Sequence, residues 1–336
     1  MQNIIFKFEC DSGKLAGTGH LFRILKLFSI IKQSYKNKFN YYFLLSNHKS
    51  SLDIVKKYIN KNKILIIKKD YKNLHFLKEN DLIINDTPRT APKAFISFCE
   101  KKKIKDIILI DHDLIKYKYN FFLINGIFSL KKKIKKNKNI FQGIKYLILD
   151  KKYSQIKNHN DKKFNIMITT GGTDNKNIIY KIYKILKDIE NIYILIVIGP
   201  GFKKTNPVQK ISDNRVMLIK NKKNLYPYFQ KADLTITSGG ISMFESLASK
   251  KITLVTELYK NQENSIKELN KLNLIKIIGK NTKIYKKKIL TFLKKYQKLK
   301  KIKKPKNNLK INLIDGKGAF RIEKIIKKII NSKVHS

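Results

Sequence analysis

The residue best placed to move a proton is His20, in the run Gly17-Thr18-Gly19-His20-Leu21-Phe22-Arg23. It follows the first apolar stretch of the chain, and glycines at such a turn let backbone approach a ligand. A neutral imidazole at the start of a helix can act as a general base, and the positive end of the helix dipole favours the neutral form. The same histidine could equally be structural. A second stretch, Ala232 to Ala248, runs from apolar residues through Ser238-Gly239-Gly240 into a helix-like segment. Two glycines and the unpaired N–H groups of a first helical turn outline an anion site. Glu245 falls about one turn in, where a carboxylate can accept hydrogen bonds from two hydroxyls. A third turn, Thr169-Thr170-Gly171-Gly172-Thr173-Asp174, could cradle a diphosphate through backbone N–H groups and hydroxyls. These glycines also suit plain strand-to-helix packing turns, and Thr173 or Asp174 could simply cap the next helix. Asn261, Gln262 and Asn264 add amides that can bind hydroxyls or a base edge. No Gly-Lys-Ser/Thr follows either glycine turn, so ATP hydrolysis is not indicated.

Alternating strands and helices must position these residues. Short apolar runs at Asn3 to Phe8, Tyr41 to Leu45, Ile64 to Ile67, Leu82 to Ile84, Ile107 to Ile110 and Phe121 to Ile124 predict strands of a parallel sheet. Helical spacing runs from His20 to Ile31. After a polar, irregular stretch at Lys151 to Lys163 a second series begins. Its strands are expected at Ile166 to Thr169, Ile192 to Ile198, Val216 to Ile219, Leu234 to Thr237, Ile252 to Val255 and Leu274 to Ile278. Helices are expected at Asn177 to Lys187 and Ser242 to Ser249. Thr282 to Lys303 reads as a lysine-rich surface helix with Tyr285, Ile289 and Leu293 on its core face. The expectation is an α/β chain of two domains, 1–160 and 161–336, with the last helix free to return to the first domain.

The net charge of +50 invites a nucleic-acid reading, but 70 of the 74 basic residues are lysines spread evenly along the chain. Base readout and bidentate phosphate clamps favour arginine, and only Arg23, Arg89, Arg215 and Arg321 are present. We therefore expect no specific nucleic-acid partner, with weak adhesion to anionic membrane surfaces through lysines such as Lys131 to Lys138 left open. No apolar run reaches the roughly 18 residues of a membrane span, and the N-terminus lacks a signal-peptide pattern. Cys10 and Cys99 have no metal or redox spacing and read as buried thiols of a cytoplasmic protein.

Taken together, GTGHLFR, TTGGTD, ADLTITSGGISMFESLA and KNQEN resemble the UDP-sugar hydrolases of pseudaminic acid biosynthesis, the related spore-coat polysaccharide proteins and, more distantly, the MurG-type glycosyltransferases. FQGIKYLIL (Phe141 to Leu149) and DGKGAFRI (Asp315 to Ile322) extend the resemblance almost from end to end. The resemblance implies a GT-B fold, two Rossmann-like domains with a cleft between them, and a UDP-sugar substrate handled without metal or cofactor. By position, His20 resembles the catalytic base, with Gly19 and Arg23 beside it as expected substrate contacts. Gly171 and Gly172 resemble the pyrophosphate loop, Ser238, Gly239, Gly240 and Glu245 the phosphate and ribose contacts, and Asn261 and Gln262 the Asn-Gln pair near the sugar or phosphate. Where the hydrolases carry a Tyr near an Asp, this chain has Ile84-Asn85-Asp86-Thr87-Pro88-Arg89, as in the spore-coat group. The expected function is hydrolysis of a UDP-linked amino-deoxy sugar in nonulosonic-acid or surface-glycan synthesis. The alternatives are a glycosyltransferase on the same scaffold and a non-catalytic nucleotide-sugar or polyanion binder.

Overall fold

The computed structural model describes residues 1–9, 19–36, 38–46, 49–67, 69–87, 93–112, 121–126, 138–156, 163–220, 222, 224–258, 262–279, 282–299 and 314–331. Two compact units divide them, one from 1–149 with 317–331 and the other from 150–316. In chain order the first unit contains β1 (Gln2–Phe8), α1 (Gly19–Tyr35), β2 (Phe39–Leu45), α2 (Lys49–Val55), β3 (Ile64–Ile66), β4 (Leu82–Asp86), α3 (Lys93–Lys101), β5 (Asp106–Ile110), β6 (Phe122–Asn125) and β7 (Ile140–Gln142). The second contains α4 (Lys151–Ser154), β8 (Phe164–Thr169), α5 (Ile178–Leu186), β9 (Ile192–Ile198), β10 (Val216–Lys220), α6 (Tyr226–Lys231) and β11 (Leu234–Ser238). It continues through α7 (Ile241–Ala248), β12 (Ile252–Thr256), α8 (Glu263–Lys271), β13 (Lys276–Gly279) and α9 (Thr282–Leu299), and α10 (Gly318–Asn331) then rejoins the first unit.

Each unit is built on one all-parallel sheet, ordered β3-β2-β1-β4-β5-β6-β7 in the first and β10-β9-β8-β11-β12-β13 in the second. The chain order reverses between β1 and β4 and again between β8 and β11. In such sheets the carboxyl ends of the two strands at the reversal open a crevice that helices on the two faces cannot fill, and ligands bind there. The central strands β4, β5 and β8 are buried along their whole length, as strands covered on both faces must be. The sequence missed β7, whose three residues are too few to show a period.

Alternation along β1 splits the first core in two. Ile4, Phe6 and Phe8 pack with Leu21 and Ile24 of α1 and with Ile322 and Ile326 of α10, while Ile5 faces Phe95 and Cys99 of α3. In α10 the buried residues Ala319, Ile322, Ile325, Ile326 and Ile329 form one stripe, which holds the helix against this sheet. In the second unit Tyr285, Ile289 and Leu293 of α9 join the core formed with α5, as a core-facing stripe requires. Cys99 is buried, and Cys10 lies outside the described residues. Among the described residues no helix is long and apolar enough to cross a membrane.

The start of α10 is set by backbone contact. A Cβ on Gly318 would lie 2.0 Å from the Leu147 carbonyl oxygen, and backbone cannot give way as a flexible side chain does. Gly318→Ala is therefore expected to destabilise the first unit by about 1–3 kcal/mol, whereas Gly19→Ala, whose Cβ meets nothing within 4 Å, leaves its stability near wild type. Urea unfolding followed by circular dichroism checks both.

Candidate active site

His20 is the second residue of α1 and Asp86 the last of β4, so the reversal between β1 and β4 brings together two residues 66 apart in sequence. Nδ1 of His20 lies 2.6 Å from Oδ1 of Asp86. Arg23, one helical turn beyond His20, donates from Nε to Asp86 Oδ2 at 3.0 Å and from a terminal nitrogen to Oδ1. Its other terminal nitrogen donates to Asp111, just past β5. Burial would raise the Asp86 pKa, but the Arg23 charge, then His20 and the hydrogen bonds from both, bring it below the usual carboxylate range. An ionised Asp86 accepts the Nδ1–H of His20. This leaves the lone pair on Nε2, the tautomer a general base needs. The Arg23 nitrogen 3.1 Å from Nδ1 is a packing contact, because arginine has no lone pair to offer an N–H. The His20 side chain keeps 20% exposure and that of Asp86 none, so the ring is reachable while its anchor is not.

Asp111 adopts a left-handed conformation (φ 53°), and its Oδ1 accepts the Gly126 N–H at 2.7 Å. Asn85 Nδ2 lies 3.1 Å from His112 Nε2, and Asn125 Nδ2 donates to the His112 carbonyl at 3.1 Å. Sequence reasoning passed over Asp111 and His112. The signal available was an apolar run, Ile107 to Ile110, ending on two chemically capable residues at the ligand end of a parallel sheet. Arg23, expected among the substrate contacts, is buried and engaged by the two carboxylates of Asp86 and Asp111.

In the second unit, Ser238 to Gly240 and Thr169 to Gly172 meet at the reversal between β8 and β11, where Ser238 Oγ donates to the Thr170 carbonyl at 3.1 Å. Gln262 reaches the same turn, and its Oε1 accepts the Gly239 N–H at 3.0 Å. That donor, expected to hold phosphate, is already taken. Gly239 has no room for a side chain, since a Cβ would sit 2.6 Å from Ile266 Cδ1. Gly171 has φ +90°, with nothing within 4 Å of a Cβ, so its glycine is required by backbone conformation and leaves open space beside it. The Gly172 carbonyl accepts from Gly201 N at 2.9 Å, which ties this loop to the turn after β9. Asp174 takes the capping role, accepting from Ile178 N at 2.7 Å and Ile179 N at 3.0 Å. Glu245 accepts hydrogen bonds from Tyr153 and Ser242, and burial pushes its pKa up to about 7 against those two bonds. The hydroxyl partners found for Glu245 are thus the protein's own. Gly17, Thr18, Pro88, Arg89 and Asn261 lie outside the described residues.

Arg23→Met would leave Asp86 and Asp111 buried without their cation, a change expected to destabilise the first unit by about 3–5 kcal/mol in denaturant unfolding. Glu245 gives a pH-dependent outcome. Its pKa is about 7 folded against an ordinary 4.5, so as pH rises between those values the unfolded chain releases its proton first and stability falls. Glu245→Gln removes this loss, and its melting temperature relative to wild type is expected to be higher at pH 8 than at pH 4.

No family model matches the chain. It is 28% identical to an uncharacterised protein of Methanocaldococcus jannaschii over 70% of this chain, and it spans about half, 52%, of that relative's length. It is 24% identical to the spore coat polysaccharide biosynthesis protein SpsG of Bacillus subtilis, over 96% of this chain and 98% of SpsG. Among solved structures, Acinetobacter baumannii MurG superposes with a TM-score of 0.61 at 11% identity, covering 98% of this chain and 100% of MurG. The S. aureus MnaA–UDP co-structure gives 0.59 at 14% identity, over 98% of this chain and 97% of that one. At these identities the likeness is one of fold: the chain has the GT-B architecture, two Rossmann-like domains each on its own parallel sheet.

Proposed function

We propose that the chain is a UDP-sugar-dependent glycosyltransferase of surface-polysaccharide synthesis, with His20 as its general base. The observation that carries this reading is the His20–Asp86 pair at the strand-order reversal of the first sheet, with Arg23 holding the carboxylate ionised. Sequence reasoning placed hydrolysis first. The names of the similar proteins favour transfer: SpsG is named for polysaccharide biosynthesis, and a Rickettsia africae glycosyltransferase superposes with a TM-score of 0.59 at 12% identity, over 98% of each chain. A uridine nucleotide as donor is supported by the UDP in the MnaA co-structure.

In this mechanism an acceptor hydroxyl attacks the anomeric carbon, its proton passes to Nε2 of His20, and the bond from that carbon to the UDP oxygen breaks. Asp86 stabilises the imidazolium that results, and Arg23 keeps Asp86 from taking the proton itself. The nucleotide falls to the second unit. There the N-terminal end of α7 after Gly240, which no side chain caps, offers N–H groups and dipole to a diphosphate, whereas the Gly171 N–H already donates to Thr169 Oγ1 at 3.2 Å. Gln262, held by Gly239, orients its amide nitrogen along the same turn. Hydrolysis would use the same base with water as the nucleophile, which keeps it as the second reading.

UDP release from a panel of UDP-sugars, with and without hydroxylated acceptors, tests the assignment. Acceptor-dependent release that drops by about 10²-fold or more in His20→Asn, and by less in Asp86→Asn, is the expected result. Release in water alone moves the chain to the hydrolases. Absence of UDP binding by calorimetry rules out both.

A further inference from the structure

The first sheet carries a second polar cluster on the face opposite the His20 pair. Alternation places Lys7 of β1 and Asn85 of β4 on the α3 side with Ile5 and Ile83, and the two are register neighbours. Lys7 is fully buried, and its Nζ has no hydrogen-bond partner among the described residues; it is parked over the Phe95 ring, 5.2 Å from the centroid. Burial depresses its pKa to about 8, against the attraction of Glu9 and Cys99. Asn85 is also fully buried. Its Nδ2 is fixed by His112 and Thr87, and its Oδ1 is likewise without a donor.

A sheet of this kind fills that position with Val, Ile or Leu, and an amine there is destabilising without a partner. The cluster sits at the carboxyl ends of β1 and β4, the strands that flank the chain reversal, where an interior cation is useful. The ammonium lacks an acceptor and the amide oxygen of its register neighbour lacks a donor, a pair complementary to a molecule bearing both a negative oxygen and a hydroxyl. Four rotatable side-chain bonds let the amine leave the Phe95 ring and meet it.

We propose that Lys7 and Asn85 form a binding subsite for an oxyanion-bearing hydroxylated ligand, an acidic or phosphorylated sugar, with Lys7 pairing the anion and Asn85 Oδ1 accepting a hydroxyl. Nothing in this assignment depends on the role given to His20, and it is tested by binding alone.

The full chain is titrated with D-glucuronate, D-glucose 6-phosphate and D-glucose by calorimetry, and its melting temperature is followed with each. One or both anionic sugars are expected to bind and raise the melting temperature while glucose does not. Glucuronate alone identifies a carboxylate, and glucose 6-phosphate alone a phosphate. Lys7→Met keeps the shape and removes the buried charge. It is expected to raise the ligand-free melting temperature by about 2–4 °C while weakening the anionic sugar at least about tenfold. The proposal is overturned if neither anionic sugar binds wild type, if glucose binds as tightly, or if Lys7→Met retains affinity. A lower melting temperature in Lys7→Met also overturns it, because the amine would then be structural.

Discussion

A buried chain of charges, Asp86–Arg23–Asp111, governs the first unit. A guanidinium and two carboxyl groups removed from water can be tolerated only if each is matched in geometry, and Arg23 meets the demand with a two-pronged contact to one carboxyl group and a single contact to the other. The contact fixes the start of α1 relative to the ends of β4 and β5, so it sets where the His20 ring lies. Asp111 contributes in turn through an unusual backbone conformation anchored by the Gly126 N–H. A hydrophobic substitute would hold the helix as firmly. It would not hold Asp86 ionised, and an ionised Asp86 is what gives His20 a free lone pair.

The second unit solves a different problem with uncharged parts. Its two glycine turns are bound by backbone and amide hydrogen bonds, Ser238 to Thr170, Gly239 to Gln262 and Gly172 to Gly201. Two groups that looked like ligand donors in the sequence are engaged within the protein, the Ser238 hydroxyl holding one turn against the other and the Gly239 N–H holding Gln262. This is a rigid frame rather than a set of free hands, and rigidity is what lets partial charges act without reorganising. Glu245 shows the tension in such a frame, since the burial that fixes its position also favours its neutral form.

The fold was largely legible because parallel strands buried on both faces write themselves as continuous apolar runs, and most of the strands appeared within a residue or two of their expected places. His20 and the Ser238 to Gly240 turn were legible for a related reason: glycine beside a polar residue at a strand end marks a turn where backbone must come close to a neighbour or a ligand. Asp111 and His112 were not, because their relevance depends on β5 lying next to β4, a fact of sheet order rather than of local pattern. Lys7 was invisible for the opposite reason. In a chain with 70 lysines one more inside an apolar run attracts no notice, and only its burial separates it from the others. Arg23 was noticed, but its pairing with Asp86 and Asp111 was not, since a sequence shows that a charge is present and not how many carboxylates surround it.

The placement of α10 bears on how the chain is made. The sheet of the first unit leaves the ribosome early, yet Ile322 and Ile326, which cover part of one of its faces, are translated only after the whole of the second unit. At ordinary synthesis rates that delay is on the order of ten seconds, during which Phe6, Ile84 and their neighbours present unfinished apolar surface. Evenly spread lysines suit this interval, since like charges on nascent chains resist the edge-to-edge association that an uncovered parallel sheet invites. Completion of the first unit therefore waits on the second, and a covered first sheet reports that residues 150–316 have already been synthesised.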